Sequence, residues 1–207
     1  MNPMQLVKVE NYRGMNRLAK KGEILFTGSS LMEGFPVNEY EVSLGTGRIV
    51  YNRGIGGTTT DDFLEYIDDV LFDLAPRKVF FNIGTNDIRV REDGEDWQEH
   101  ILKNYEKILT QLHERLPETE VYVMAFYPVN REVPEFPDWA DARTNPLIDE
   151  INGKIRALTE KHGMHFIDVN DGLKDEKGNL KAEITMEGVH IYAGGYESVY
   201  KALQPYM

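Results

Sequence analysis

The stretch EILFTGSSL, residues 23–31, opens as a buried strand and breaks into a sharp turn. Its apolar core, Ile24–Phe26, is short and runs straight into Gly28, the mark of a strand that ends abruptly. Four similar runs follow: RIVYN (Arg48–Asn52), KVFFNI (Lys78–Ile83), EVYVMAF (Glu120–Phe126) and MHFIDV (Met164–Val169). Near-continuous apolar strands of this kind are buried on both faces, as in a parallel sheet covered by helices.

The segments between the runs carry the helical period. Phe63, Leu64, Ile67, Val70, Leu71 and Leu74 recur at three- and four-residue spacing, opposite Asp61, Asp62, Glu65, Asp68 and Asp69. That spacing predicts a helix capped by Thr60 or a neighbouring threonine and closed by Pro76. Further helices are expected over about 97–116, 146–161 and 195–203, with another up to about Lys20. One stretch is irregular: Pro128–Asn145, with Pro134, Pro137, Phe136 and Trp139. Long ordered loops are uncommon unless functional, and ligands of open α/β sheets bind beyond the strand C-termini. A surface insertion without a role fits the same residues.

Length and composition limit the function classes. A chain of 207 residues is the size of one domain, so residues 1–207 are expected to form a single unit with a full core. There is no cysteine, which removes disulfides, thiolate metal sites and a cysteine nucleophile. The net charge of -12 repels phosphate backbones and anionic headgroups, so neither nucleic acid nor membrane is an expected partner. The five histidines form no H-x-x-x-H pair, and no bound metal is expected. The N-terminus lacks the apolar core of a signal peptide and no segment reaches bilayer length; a cytoplasmic protein is expected.

Four short motifs follow strand ends. In Gly28-Ser29-Ser30-Leu31 the glycine lets the chain turn and presents the Ser30 hydroxyl at a helix start, where a simple cap is the plainer reading. In Asn52-Arg53-Gly54-Ile55-Gly56-Gly57-Thr58 backbone N–H groups can face an anion, or the segment is a flexible turn. It is no dinucleotide fingerprint, because Thr59 stands where the third glycine belongs, and no P-loop, because no G-K-[ST] follows. In Gly84-Thr85-Asn86-Asp87 the Asn86 amide can reach a substrate oxygen, or it can stabilise an Asx turn. In Glu187-Gly188-Val189-His190 an acid three residues before a histidine can hold one ring nitrogen and leave the other for a nucleophile, or the two form a surface ion pair. Taken together they supply nucleophile, base, orienting acid and oxyanion donors at one edge of a sheet, the set that acyl transfer requires.

From about Glu23 to the last helix the chain resembles the SGNH hydrolases, the GDSL esterase/lipase superfamily. GSSL stands where that family has G-D-S-L, NRGIGG where it has its oxyanion glycine, GTND at its G-x-N-D and EGVH at its D-x-x-H. The resemblance implies a three-layer α/β/α sandwich with a five-stranded parallel sheet of flavodoxin-like topology. It implies Ser30 as nucleophile, His190 as base and Glu187 as acid, with an oxyanion hole from the Ser30 and Gly57 N–H groups and the Asn86 amide. No cofactor is implied. Two departures stand out: Ser29 replaces the usual aspartate, and Glu187 is one methylene longer than the family's acid. Asp168 is a fallback acid. The α/β-hydrolase alternative wants G-x-S-x-G, and position 32 is Met32.

The expected activity is hydrolysis of short acyl esters of small molecules, including acetyl esters of carbohydrates, with Trp139 and Phe136 placed to stack on a sugar or merely to pack the loop. A lysophospholipase or thioesterase would use the same residues. Two rivals lie outside catalysis: an inactive ligand-binding domain, and a flavodoxin-like nucleotide binder using NRGIGGTTT.

Overall fold

A computed structural model describes all 207 residues. In chain order the elements are α1 (Pro3–Asn16), β1 (Ile24–Gly28), α2 (Ser30–Glu33), α3 (Val37–Ser43), β2 (Val50–Asn52), α4 (Thr60–Glu65), α5 (Ile67–Val70), β3 (Lys78–Asn82), α6 (Trp97–Arg115), β4 (Glu120–Met124), α7 (Asn145–Lys161), β5 (His165–Ile167) and α8 (Ala193–Leu203). The five strands are all parallel in the order β2-β1-β3-β4-β5. Each expected run is a strand: the first, expected over Glu23–Thr27, is shifted by one residue to Ile24–Gly28, and the other four are trimmed by one to three residues.

The two-residue pleat sorts each strand's side chains onto two faces. Leu25, Val79, Phe81, Val121 and Val123 enter one core with Val9, Phe63, Ile101, Ile108, Ile148 and Ile155 from α1, α4, α6 and α7. Ile24, Phe26, Phe80, Tyr122 and Met124 enter the other, against Leu31, Val37, Tyr196, Val199 and Leu203 from α2, α3 and α8. The sheet is therefore covered on both faces, which is why the middles of its strands are almost wholly apolar, with Lys78, Glu120 and His165 at the N-terminal ends of β3, β4 and β5.

Two local readings change. The helix expected over Phe63–Leu74 is broken: α4 ends at Glu65, Tyr66 has φ -114°, α5 restarts at Ile67, and Phe72–Leu74 form a 3-10 turn. Its cap is Thr59, whose hydroxyl accepts from Asp62 N–H while the Asp62 carboxylate accepts from Thr59 N–H. α2 and α3 carry no period of their own because they span only four and seven residues, too short for a 3.6-residue repeat to register.

Because the strands are all parallel, the loops after β1, β2, β3 and β5 leave from the same edge of the sheet. β1 and β3 pair closely there: a methyl group at Gly28, where φ is +144°, would lie 2.0 Å from the Asn82 carbonyl oxygen. Only glycine lets the chain leave β1 at that point.

Candidate active site

Ser30 begins α2 two residues beyond this glycine. Its Oγ lies 2.8 Å from His190 Nε2, across 160 residues of sequence. On the other side of the ring His190 Nδ1 is hydrogen-bonded to Glu187 Oε1, which also accepts from the His190 backbone N–H at 3.2 Å. The extra methylene of the glutamate is thus absorbed by folding the carboxylate back onto its own turn. With Nδ1 engaged by a carboxylate, Nε2 is the nitrogen facing the hydroxyl. The ring and the carboxylate remain partly open to solvent, at 31% and 20% side-chain exposure, so an incoming substrate can reach them.

The turn holding this pair is itself pinned. Gly188 N–H donates to Thr185 Oγ1 and Asn130 N–H donates to the Gly188 carbonyl, each at 2.8 Å. Asp168, at the end of β5, instead accepts from the Asn170 backbone N–H at 3.0 Å and makes no bond to His190.

The glycine-rich loop after β2 lies against the serine. A methyl group on Gly56 would be 3.6 Å from Ser30 Cβ, and Gly56 N–H donates to Glu33 Oε2 at 2.5 Å. The N–H groups of Gly57 and Ser30 have no acceptor within the protein. Asn86 reaches the same loop from β3: its Nδ2 donates to the Thr58 carbonyl at 2.8 Å. One of its two amide hydrogens is thereby used and the second is left over.

Asp87, next in the chain, is almost fully buried. It accepts from Thr60 N–H at 3.0 Å and from Thr60 Oγ1 at 2.7 Å, tying the Asn86 turn to the start of α4. Burial pushes its carboxyl up to about 6, against the lowering effect of the Thr60 bonds. Ser29, in the position where the family usually has aspartate, is fully buried with an unpartnered hydroxyl.

Arg143 and Trp139 come from the irregular loop, and neither charge pattern nor periodicity singles out the arginine. Arg143 is 5% exposed and donates from Nη2 to Asn86 Oδ1 at 2.9 Å. Trp139 is more than half exposed; its ring lies 4.9 Å from the guanidinium carbon and 5.9 Å from the His190 ring. Phe136 is only partly buried and packs against the core instead. Glu33 was equally hidden in the sequence, since its role depends on a loop 23 residues away.

The solved structures share the fold, and the family model gives the class. A solved structure from Streptococcus pneumoniae, provisionally described as a platelet activating factor, is 32% identical with a TM-score of 0.86, covering 98% of this chain and 92% of that one. A variant of an acetyl-xylooligosaccharide esterase of Geobacillus stearothermophilus shares the fold at 16% identity and a TM-score of 0.66, covering 90% and 94%. The rat platelet-activating factor acetylhydrolase IB subunit alpha2 is 24% identical over 187 residues, 89% of this chain and 75% of that protein. The N-acylneuraminate cytidylyltransferase of Escherichia coli O18:K1:H7 is 27% identical over 202 residues, but the match covers 91% of this chain and only 43% of that enzyme. The family model of the GDSL-like lipases and acylhydrolases matches residues 26–197, and the chain belongs to that family, within the SGNH hydrolase superfamily.

Proposed function

We propose that this protein is a serine esterase that hydrolyses short-chain carboxylic esters through an acyl-enzyme. The observation that carries the reading is the 2.8 Å approach of Ser30 Oγ to His190 Nε2, backed on the far side of the ring by Glu187. In this scheme His190 Nε2 takes the Ser30 proton as Oγ attacks the ester carbonyl. The carbonyl oxygen becomes an oxyanion that accepts from the Ser30 and Gly57 N–H groups and the spare Asn86 amide hydrogen. Glu187 stabilises the imidazolium, which then gives its proton to the departing alkoxide. Water enters, loses a proton to His190, attacks the acyl carbonyl and frees the acid, and Ser30 recovers its proton.

Two features favour a short acyl group and a sugar-like alcohol. Trp139 offers an exposed ring beside His190, the side from which the alcohol leaves, and an aromatic face suits the apolar face of a pyranose. Two of the proteins matched above are named for acetyl ester cleavage, one on xylo-oligosaccharides and one on platelet-activating factor.

The test is hydrolysis of p-nitrophenyl acetate by wild type and Ser30→Ala, with fluorophosphonate labelling in parallel. Activity and label should both vanish in the variant while its circular dichroism is unchanged; full activity in Ser30→Ala ends the assignment. A panel of p-nitrophenyl esters with acetylated xylo-sugars then decides substrate class: a preference for long acyl chains or thioesters would favour a lysophospholipase or thioesterase with the same chemistry.

A further inference from the structure

The loop between β4 and α7 leaves one feature that the scheme above does not use. Arg143 is buried, yet no carboxylate lies within ion-pair distance of it, and its Nε has no hydrogen-bond partner. The only side-chain acceptor it has is Asn86 Oδ1, at 2.9 Å. Burying an unpaired guanidinium is costly, and cations placed purely for structure are normally met by a carboxylate. Here the nearby acids, Asp87 and Glu187, act on it only through space. Its one direct bond goes to Asn86.

The chemistry of the two partners leaves the Asn86 carboxamide one orientation. The Thr58 carbonyl can only accept and the guanidinium can only donate, so Nδ2 must face Thr58 and Oδ1 must face Arg143. Without the arginine, Oδ1 would have no donor, and rotation of the amide would turn an oxygen toward any oxyanion beside Ser30. A cation on Oδ1 also draws electron density from the amide and strengthens its N–H as a donor, an effect enlarged by low local dielectric. Trp139 covers the guanidinium and shields it from water.

We infer that Arg143 is a positioning residue that fixes and polarises the Asn86 carboxamide, so that its second amide hydrogen is held toward the oxyanion. The inference rests on the esterase reading, and it explains the long loop, which delivers one buried cation to the back of the oxyanion donor.

A double-mutant cycle on p-nitrophenyl acetate tests it, with Arg143→Met, Asn86→Ala and the two combined. Removing one oxyanion donor costs on the order of 10²–10³ in kcat. Arg143→Met should cost roughly 10–100-fold in kcat with KM little changed, as a share of that loss. In the Asn86→Ala background it should cost almost nothing further, because its target is gone. Arg143→Lys, which can still donate to Oδ1, should recover part of kcat. Multiplying losses, or a loss carried by KM, would mean that Arg143 meets the substrate directly and would overturn the inference.

A second arm needs no catalysis, and Arg143→Lys serves as the control that keeps a donor to Asn86. In 15N–1H spectra the Asn86 side-chain amide should give one sharp pair of resonances in wild type and Arg143→Lys, and a broadened or doubled pair in Arg143→Met. Unchanged Asn86 signals in a folded Arg143→Met protein sink the inference. Retained activity in Ser30→Ala would instead sink the esterase reading, so the two failures are distinct.

Discussion

Gly188 separates Glu187 from His190, and replacing it with alanine perturbs the site without touching a reacting atom. Its φ is +88°, a conformation that costs a side-chain-bearing residue about 1–2 kcal/mol. The methyl group would also lie 2.2 Å from the Asn130 carbonyl oxygen, 2.8 Å from Phe136 Cδ2 and 2.9 Å from Val133 Cγ2. The first of these is roughly 1 Å inside an ordinary carbon–oxygen contact, and its partner is backbone that cannot rotate away. Overpacking of this kind adds about 1–3 kcal/mol. Gly178→Ala is the matched control: φ is +82°, and nothing lies within 4 Å of the added methyl. At about 2–4 °C per kcal/mol for a domain of this size, the control should lose about 2–8 °C in Tm and keep its kcat. Gly188→Ala should lose roughly 4–20 °C. The turn must shift to relieve the contact, and a displacement of about 1 Å at a catalytic group can cost about 10²-fold in rate. Tm by calorimetry and kcat on p-nitrophenyl acetate measure both effects. If Gly188→Ala matches Gly178→Ala in Tm and wild type in kcat, the packing argument for this turn is wrong.

The acid is tested by pairing Glu187→Gln with Asp168→Asn. The first keeps an oxygen acceptor for His190 but loses the charge that stabilises the imidazolium, and kcat should fall by roughly 10²–10⁴; the second should leave kcat near wild type, and the opposite result would reassign the acid to strand β5. Asp87 predicts a pH dependence of stability. Its folded carboxyl sits at about 6, above its ordinary 3.8, so between those values the folded state holds the proton more tightly. Its contribution therefore favours folding at low pH and is lost as pH rises through about 4 to 6, by up to about 3 kcal/mol. Chemical denaturation across pH 4–7 should show Asp87→Asn lacking that downward component relative to wild type, and identical slopes would refute the assignment.

The alternation of apolar runs with amphipathic segments determined the fold class, because strands buried on both faces leave a continuous hydrophobic signature and the helices covering them keep a 3.6-residue period. Three of the motifs were legible for the same reason, since each sits where a strand ends and glycine marks the turn; the fourth, Glu187–His190, lies 20 residues beyond the end of β5. Short-range geometry was legible too, since Glu187 and His190 are three residues apart and share one turn. What the chain order does not encode is the distance between loops. Ser30 and His190 meet across 160 residues only because parallel crossovers return every strand to one edge. Arg143 carries no local signal at all, being one of many arginines in the chain; its burial, its missing carboxylate and its contact with Asn86 exist only once β3 and the β4–α7 loop are packed together. Glu33, Asp87 and the break at Tyr66 follow the same rule. Local sequence sets which elements form and where they stop, while the partners of a polar side chain are set by packing, which alone decides what water is removed and what replaces it.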